Sequence, residues 1–250
     1  MNILHQNVDD YLYSRKNNYI IAIPIGCIEN HGHLPLGTDS LIANKLGEHL
    51  VEKNDNLLLT PTINYGCHSL PDSGGGFHMP GTICMDNIQF TLHLEKIVES
   101  YIDEGYKKFM FLNCHFENNP HIIDTITRIY KKYKNNDLKI INLCYWDLSS
   151  DNILNTVFPD GFNDKKEHGG KLETSIMMYL YPELTKSNLI SSIKPSNQFK
   201  YNKFDFNSIR NDSSVYSVLS DPTGSSSRLG KLLWDEYIKE ITLIIEREFK

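Results

Sequence analysis

Apolar residues recur along this chain in two alternating patterns. Short, nearly continuous runs occur at YIIAIPI (19–25), NLLLTP (56–61), KFMFLN (108–113) and LKIINLC (138–144). Runs this short, without polar alternation, predict strands covered on both faces, as in a parallel sheet flanked by helices. Between them the apolar spacing shifts to three and four. Ile42, Leu46 and Leu50 predict a helix through about Lys53, with Asp39 or Ser40 as its cap. Ile88, Leu92, Val98 and Ile102 predict another, capped by Asp86 and closed at Gly105. Leu172, Ile176 and Leu180 mark a further helix, and Leu229, Leu233, Tyr237, Ile241 and Ile245 a last one. The alternation predicts an α/β sandwich with a mainly parallel sheet. The stretch 185–225 is rich in Ser, Asn and Pro and has no clear period. It is expected to wrap the surface or a neighbouring subunit. No repeat, low-complexity tract or linker interrupts the pattern, so residues 1–250 read as one domain.

Composition narrows the class. The 250 residues are 40% hydrophobic and 22% charged, enough for a sizeable core. A net charge of −6 lacks the basic surplus of a nucleic-acid binder. The five cysteines (Cys27, Cys67, Cys84, Cys114, Cys144) are scattered and odd in number, which suits a reducing cytoplasm rather than a disulfide framework. The N-terminal stretch is polar, without a signal-peptide core. The longest apolar run, around 19–28, contains Pro24 and is too short to span a bilayer. A cytoplasmic protein with no membrane or nucleic-acid partner is expected.

Ligand sites in open α/β sheets lie beyond the carboxyl ends of the strands. There this chain places IENHGHLPLGTD (28–39) after the first strand and NCHFENN (113–119) after the third. Bare carboxylates at a dry strand end are costly unless something pairs them, and no Lys or Arg is near either cluster in sequence. Glu29, His31, Asp39, His115 and Glu117 offer N and O ligands of the kind zinc or manganese accepts. Glu29 and His31 are two apart, as are His115 and Glu117, so an extended backbone would put each pair on one face. The competing readings are a solvated loop and, for Asp39, a plain helix cap. A P-loop is excluded because Thr38 stands where its lysine must be. Glu167 and His168, ahead of a glycine pair, make His168 a candidate proton shuttle, with Glu173 at the following helix start. Gly74, Gly75 and Gly76 in PDSGGGFHMPGT suggest close backbone approach to a ligand or a flexible turn.

In order, IPIGCIENHGHLPLGTD, SGGGFHMPGT, NCHFENN, CYWDL, EHGGKLETS and SDPTGSSSRLGK resemble the creatininase (creatinine amidohydrolase) family over nearly the whole chain. The resemblance implies a three-layer α/β/α fold, a homohexamer, and two divalent ions, zinc with manganese or magnesium at one position. It implies that Glu29, Asp39 and His115 hold one ion and His31, Asp39 and Glu117 the other, with Asp39 bridging. His168 would relay a proton, oriented by Glu167 and Glu173. Trp146, Ser73, Gly75 and Phe116 would meet a small-molecule amide substrate, and His33 would at most support a ligand. The implied activity is metal-dependent hydrolysis of a C–N bond in a small cyclic amide, creatinine or a close analogue. The alternatives are a relative acting on another lactam or an N-formyl intermediate, and a metal-binding protein without turnover. Three departures stand out. The spacing from Glu29 to Asp39 is one residue shorter than usual, Cys114 replaces a glycine, and GFNDKKEH (161–168) lacks the tryptophan that creatininases carry before Glu-His. Lys165 and Lys166 in that segment point to a more polar or anionic substrate.

Overall fold

The computed structural model describes residues 1–69, 74, 76–134, 137–163, 167–195 and 217–249. Ser73, Gly75, Lys165 and Lys166 lie outside these, as does much of the 185–225 stretch. Four strands form one parallel sheet: β1 (Ile20–Ile25), β2 (Leu57–Leu59), β3 (Lys108–Asn113) and β4 (Lys139–Cys144), in the order β2-β1-β3-β4. Each falls inside a continuous apolar run. Every residue of β1 is buried, because β1 lies between β2 and β3 and helices cover both its faces.

The alternating side chains of the strands feed two cores. Ile20 and Ala22 of β1, with Met110 and Leu112 of β3, pack against three helices: α2 (Thr38–Lys53), α6 (Lys171–Leu180) and α7 (Ser227–Glu248). The short α5 (Asp151–Val157) joins this core through Val157. Ile21, Ile23 and Ile25, with Phe109 and Phe111, pack against α3 (Asn87–Asp103) and α4 (Asn118–Lys132). On this side too lies Tyr11 of α1 (Val8–Lys16), which packs against the core. The result is helix, sheet, helix, in three layers. Burying one such Ile or Leu contributes about 1.5–3 kcal/mol, so the apolar faces of the helices dictate the layering.

The caps follow local chemistry. Asp86 caps α3 by accepting from the N–H groups of Ile88 and Gln89, and Gly105 turns the chain at φ +97°. At α2 the expectation of a cap by Asp39 or Ser40 fails. The helix starts earlier, at Thr38 with Gly37 as N-cap, and no side chain caps it. Ser40 donates its hydroxyl to the Cys27 carbonyl, and the Asp39 carboxylate turns towards His31 and His115. Asp39 still sits in the first turn, where the helix dipole favours negative charge.

Strand order positions the site. The chain passes from β1 to β2 on one side, then crosses to β3 on the other, so β1 and β3 flank the switch point where a crevice opens. Their ends are in register, Ile25 opposite Asn113, and the Cys114 N–H continues the ladder to the Ile25 carbonyl at 2.9 Å. The two ligand-rich segments therefore leave the sheet side by side.

Candidate metal centre

Five residues from two segments distant in sequence converge above β1 and β3. Glu29, His31, Asp39 and His115 are buried, and Glu117 is partly so. The two oxygens of Asp39 face different imidazoles: Oδ1 is 3.0 Å from His31 Nε2, and Oδ2 is 3.0 Å from His115 Nδ1. Glu29 Oε2 lies 3.2 Å from the same His115 nitrogen and 3.9 Å from both His31 Nε2 and His168 Nδ1. Glu117 Oε2 is 3.5 Å from His115 Nε2. The His115–Glu117 pair meets across a turn rather than along an extended segment, since Glu117 has αR backbone angles at the start of α4.

Backbone carbonyls set the imidazole tautomers. A carbonyl only accepts, so the nitrogen facing it carries the proton. His31 Nδ1 donates to the Glu29 carbonyl at 3.0 Å, His115 Nε2 to the Cys67 carbonyl at 3.2 Å, and His168 Nε2 to the Asn30 carbonyl at 2.8 Å. Each ring thereby turns its other nitrogen towards the carboxylates. Metal-binding histidines are held in this way by their second nitrogen.

The surroundings favour positive charge. The cavity is lined by Glu29, Asp39, Glu117, Glu167 and Glu173, and no Lys or Arg lines it among the described residues. Burial pulls the His31 imidazole down, yet Asp39, Glu173 and Glu29 raise it well above its ordinary value. Burial likewise opposes a charged His115, which its neighbours, Glu29 and Asp39 among them, hold well above the ordinary range. Burial would raise the Glu29 carboxyl, but His115, His168 and His31 draw it below its usual range. His31 Nε2 and Asp39 Oδ2 are buried and have no hydrogen-bond partner despite their short approaches. Lone pairs thus aim at common gaps rather than at donors, and a divalent ion fits such a gap.

Three groups place their ligand atoms within 4.8 Å of one another: Glu29, His115 and Glu117; His31, Asp39 and Glu173; and Glu29, His31 and His168. The predicted set Glu29, Asp39 and His115 is brought together around His115 Nδ1. Glu117 groups with Glu29 and His115, and the position beside His31 and Asp39 is filled by Glu173. Glu173 also accepts the Gly169 N–H at 2.6 Å. The ring of His168 stacks on that of His31 at 4.3 Å. Glu167 accepts from the Leu172 N–H and the Ser220 hydroxyl, both at 2.7 Å, and burial together with Glu173 pushes its carboxyl up to about 7. Trp146 and the exposed Phe116 line the cavity, their rings 5.8 Å apart.

Several contributors were not signalled by spacing. Ser69 donates a very short hydrogen bond to Glu29 Oε1 and fixes that carboxylate. His33, buried, reaches the Thr174 hydroxyl at 3.0 Å and ties the first ligand loop to α6. Burial and the neighbouring His31 push His33 down to about 4, so it stays neutral. Tyr145, Phe162 and Leu172 also line the cavity. Only the position of Tyr145 directly after a strand end was a signal in the sequence.

The family model for creatininase, creatinine amidohydrolase, matches residues 5–245. The chain belongs to the creatininase family. This creatininase-family chain is 28% identical over 236 residues to the creatinine amidohydrolase of Pseudomonas putida, covering 92% of the chain and 90% of that relative. It is 27% identical over 165 residues to the 3-dehydro-scyllo-inosose hydrolase of Thermotoga maritima, covering 66% of the chain and 51% of that relative. Its fold matches a crystal structure of creatinine amidohydrolase with a TM-score of 0.91 at 26% identity, over 99% of this chain and 97% of the other. A mutant creatininase complexed with creatine matches equally well, TM-score 0.91 at 25% identity over 99% and 98%. Other solved creatininases are described as of Zn-Zn type and as Mn. The creatininase-family chain is thus a metal-dependent hydrolase with the three-layer architecture of its relatives.

Proposed function

We propose that the chain is a dinuclear metal amidohydrolase that opens a C–N bond in a small cyclic amide, creatinine or a close analogue. The observation that carries this reading is Asp39. Its two oxygens each lie 3.0 Å from the ring nitrogen of a different histidine, so one carboxylate would serve two ligand groups at once. Glu29 and His115 would complete one position. His31 and either Glu117 or Glu173 would complete the other. The relative complexed with creatine supports the substrate class.

Two divalent ions held there would supply Lewis acidity and make a water easier to deprotonate near neutral pH. The remaining work falls to the chain. Asn30 holds His168 through Nε2, which leaves Nδ1 facing the cluster and free to carry the proton that the departing nitrogen takes up. Glu167, braced by Leu172 and Ser220, fixes the segment that carries His168. Trp146 and Phe116 line the cavity and would shield the reacting bond from water once substrate is bound. Zinc with manganese or magnesium at one position, a cytoplasmic location and a homohexamer belong to the same proposal. Light scattering of the purified protein checks the last.

A second reading is a family hydrolase for another lactam or an N-formyl intermediate. The chain's two tryptophans favour it: Trp146 lines the cavity, whereas Trp234 is buried in α7 against His49. The experiment that separates the readings is creatinine-to-creatine turnover by metal-analysed protein, with zinc and manganese added separately and a chelator control. Metal-dependent turnover supports creatinine. Two ions per chain without turnover moves the substrate to other cyclic amides or formamides. A chain that binds no ion refutes the proposal.

A further inference from the structure

Aromatic groups of two origins line the cavity. Trp146 and Phe116 follow the ends of β4 and β3, and Tyr145 braces Trp146 edge-on at 5.3 Å. Phe162 comes from the segment after α5. Its ring rests on Phe158 at 4.9 Å, and the Lys171 ammonium lies 5.8 Å from the Phe158 ring. Trp146 and Phe162 are both partly buried and both pack against the same core, so neither ring is a loose flap. Yet among the described residues Phe162 makes no ring contact with Trp146 or Phe116. Two anchored aromatic groups border one cavity of about 470 Å³, mouth included, without closing on each other. Aromatic faces attract, and a gap kept between two of them suits a third flat ring.

We propose that Phe162 determines specificity, as the aromatic face that works with Trp146 to hold a flat, single-ring cyclic amide over the carboxylate cluster. It would take the part left open by the missing tryptophan of GFNDKKEH, from a position nearer α5. The choice of a cyclic amide rests on the hydrolase reading above; the stacking does not. A small linear amide has no ring to fill the space between two aromatic faces and gains less from Phe162.

The test uses the metal-loaded chain and its F162L and F162W variants. F162L keeps apolar bulk without the aromatic face, and F162W restores a larger face. Creatinine and hydantoin serve as flat-ring probes and N-methylformamide as the linear one. Binding is read by quenching of Trp146 fluorescence, with a W146F control in which only the buried Trp234 emits, and turnover by KM and kcat. The expected result is about a tenfold weaker Kd and higher KM for the flat rings in F162L. Recovery in F162W is expected, with the metal content retained and the loss in F162L larger for the flat rings than for the linear amide. Unchanged flat-ring affinity in F162L overturns the inference even if the wild type hydrolyses creatinine. Turnover of the linear amide with no flat-ring binding also overturns it and leaves the hydrolase reading standing. Phe162-dependent ring binding without any hydrolysis upholds it and overturns the reading of creatinine or a close analogue as the substrate. A metal-loaded wild type that neither binds nor hydrolyses any probe overturns both the inference and the creatinine reading.

Discussion

Asp39 does two jobs with one carboxylate. Its oxygens face His31 and His115, and its place in the first turn of α2 lets the helix dipole share the charge. If it joins two ions as proposed, each position needs a third ligand. Replacing Glu117 by Ala should remove one ion per chain and lower turnover by at least about 100-fold, since even outer-shell partners of a metal site commonly cost 10–100-fold. Inductively coupled plasma mass spectrometry alongside an activity assay checks this. If Glu117→Ala keeps both ions while Glu173→Ala loses one, Glu173 is the ligand beside His31. Glu167 gives a pH signature of another kind. Its carboxyl stands at about 7 in the fold against an ordinary 4.5, so the folded chain holds a proton that the unfolded chain has released. Stability from this group is then undiminished below about pH 4.5 and falls as pH rises towards 7. Glu167→Gln, which still accepts from the Leu172 N–H, should flatten the fall in Tm across that window. Parallel Tm curves for the two proteins would refute it. The five candidate ligands and His168 stand out in the sequence because acids and imidazoles directly after apolar runs are conspicuous, and the fold brings them to one place. Ser69 and Phe162 do not stand out, because a lone serine or phenylalanine in a loop acquires its role only from what the fold brings to it.

At the level of elements, the decisive joint is that between the end of β1 and the start of α2. Gly26 sits there, and a Cβ on it would lie 2.3 Å from the Ser40 backbone nitrogen. Nothing flexible can give way, since the obstructing atoms are backbone of Asp39 and Ser40. Gly26→Ala should therefore push α2 off the sheet, costing on the order of 1–3 kcal/mol as overpacking does. It should also weaken metal retention, because Asp39 moves with the helix. Urea unfolding and metal content, measured on the same sample, check both halves. A similar closeness holds at Gly170, where a Cβ would collide with the Ser220 hydroxyl and crowd Glu167. The four strands were readable from continuous apolar runs, and α3 from Asp86 and Gly105. The start of α2 was not, because the obvious cap, Asp39, is diverted to the histidines and the helix begins without a side-chain cap. Local propensity yields there to the site.

For the whole molecule, one sheet serves two cores and one site. The ligand loops hang from its two central strands, while α6 brings Glu173 and the segment before it brings His168. An ion held between these parts links the sheet to the α6 layer, so binding it favours the folded chain by mass action. Chelation should lower Tm by several degrees, and added zinc or manganese should restore it, as read by differential scanning calorimetry. An unchanged Tm would mean that ions do not join the layers. The layered fold was legible in the alternation of apolar runs and helical periods. The order β2-β1-β3-β4 was not, since period alone says nothing about which strands are neighbours. That order has a consequence for how the chain is made. β1 is the first strand to be synthesised, but one of its edges stays unpaired until β3 follows, and the face away from α2 waits for α3 and α4. A ribosome-bound chain stalled after β2 would display an all-apolar strand with an open edge, a template for aggregation. The most buried strand of the finished protein is thus its greatest hazard during translation.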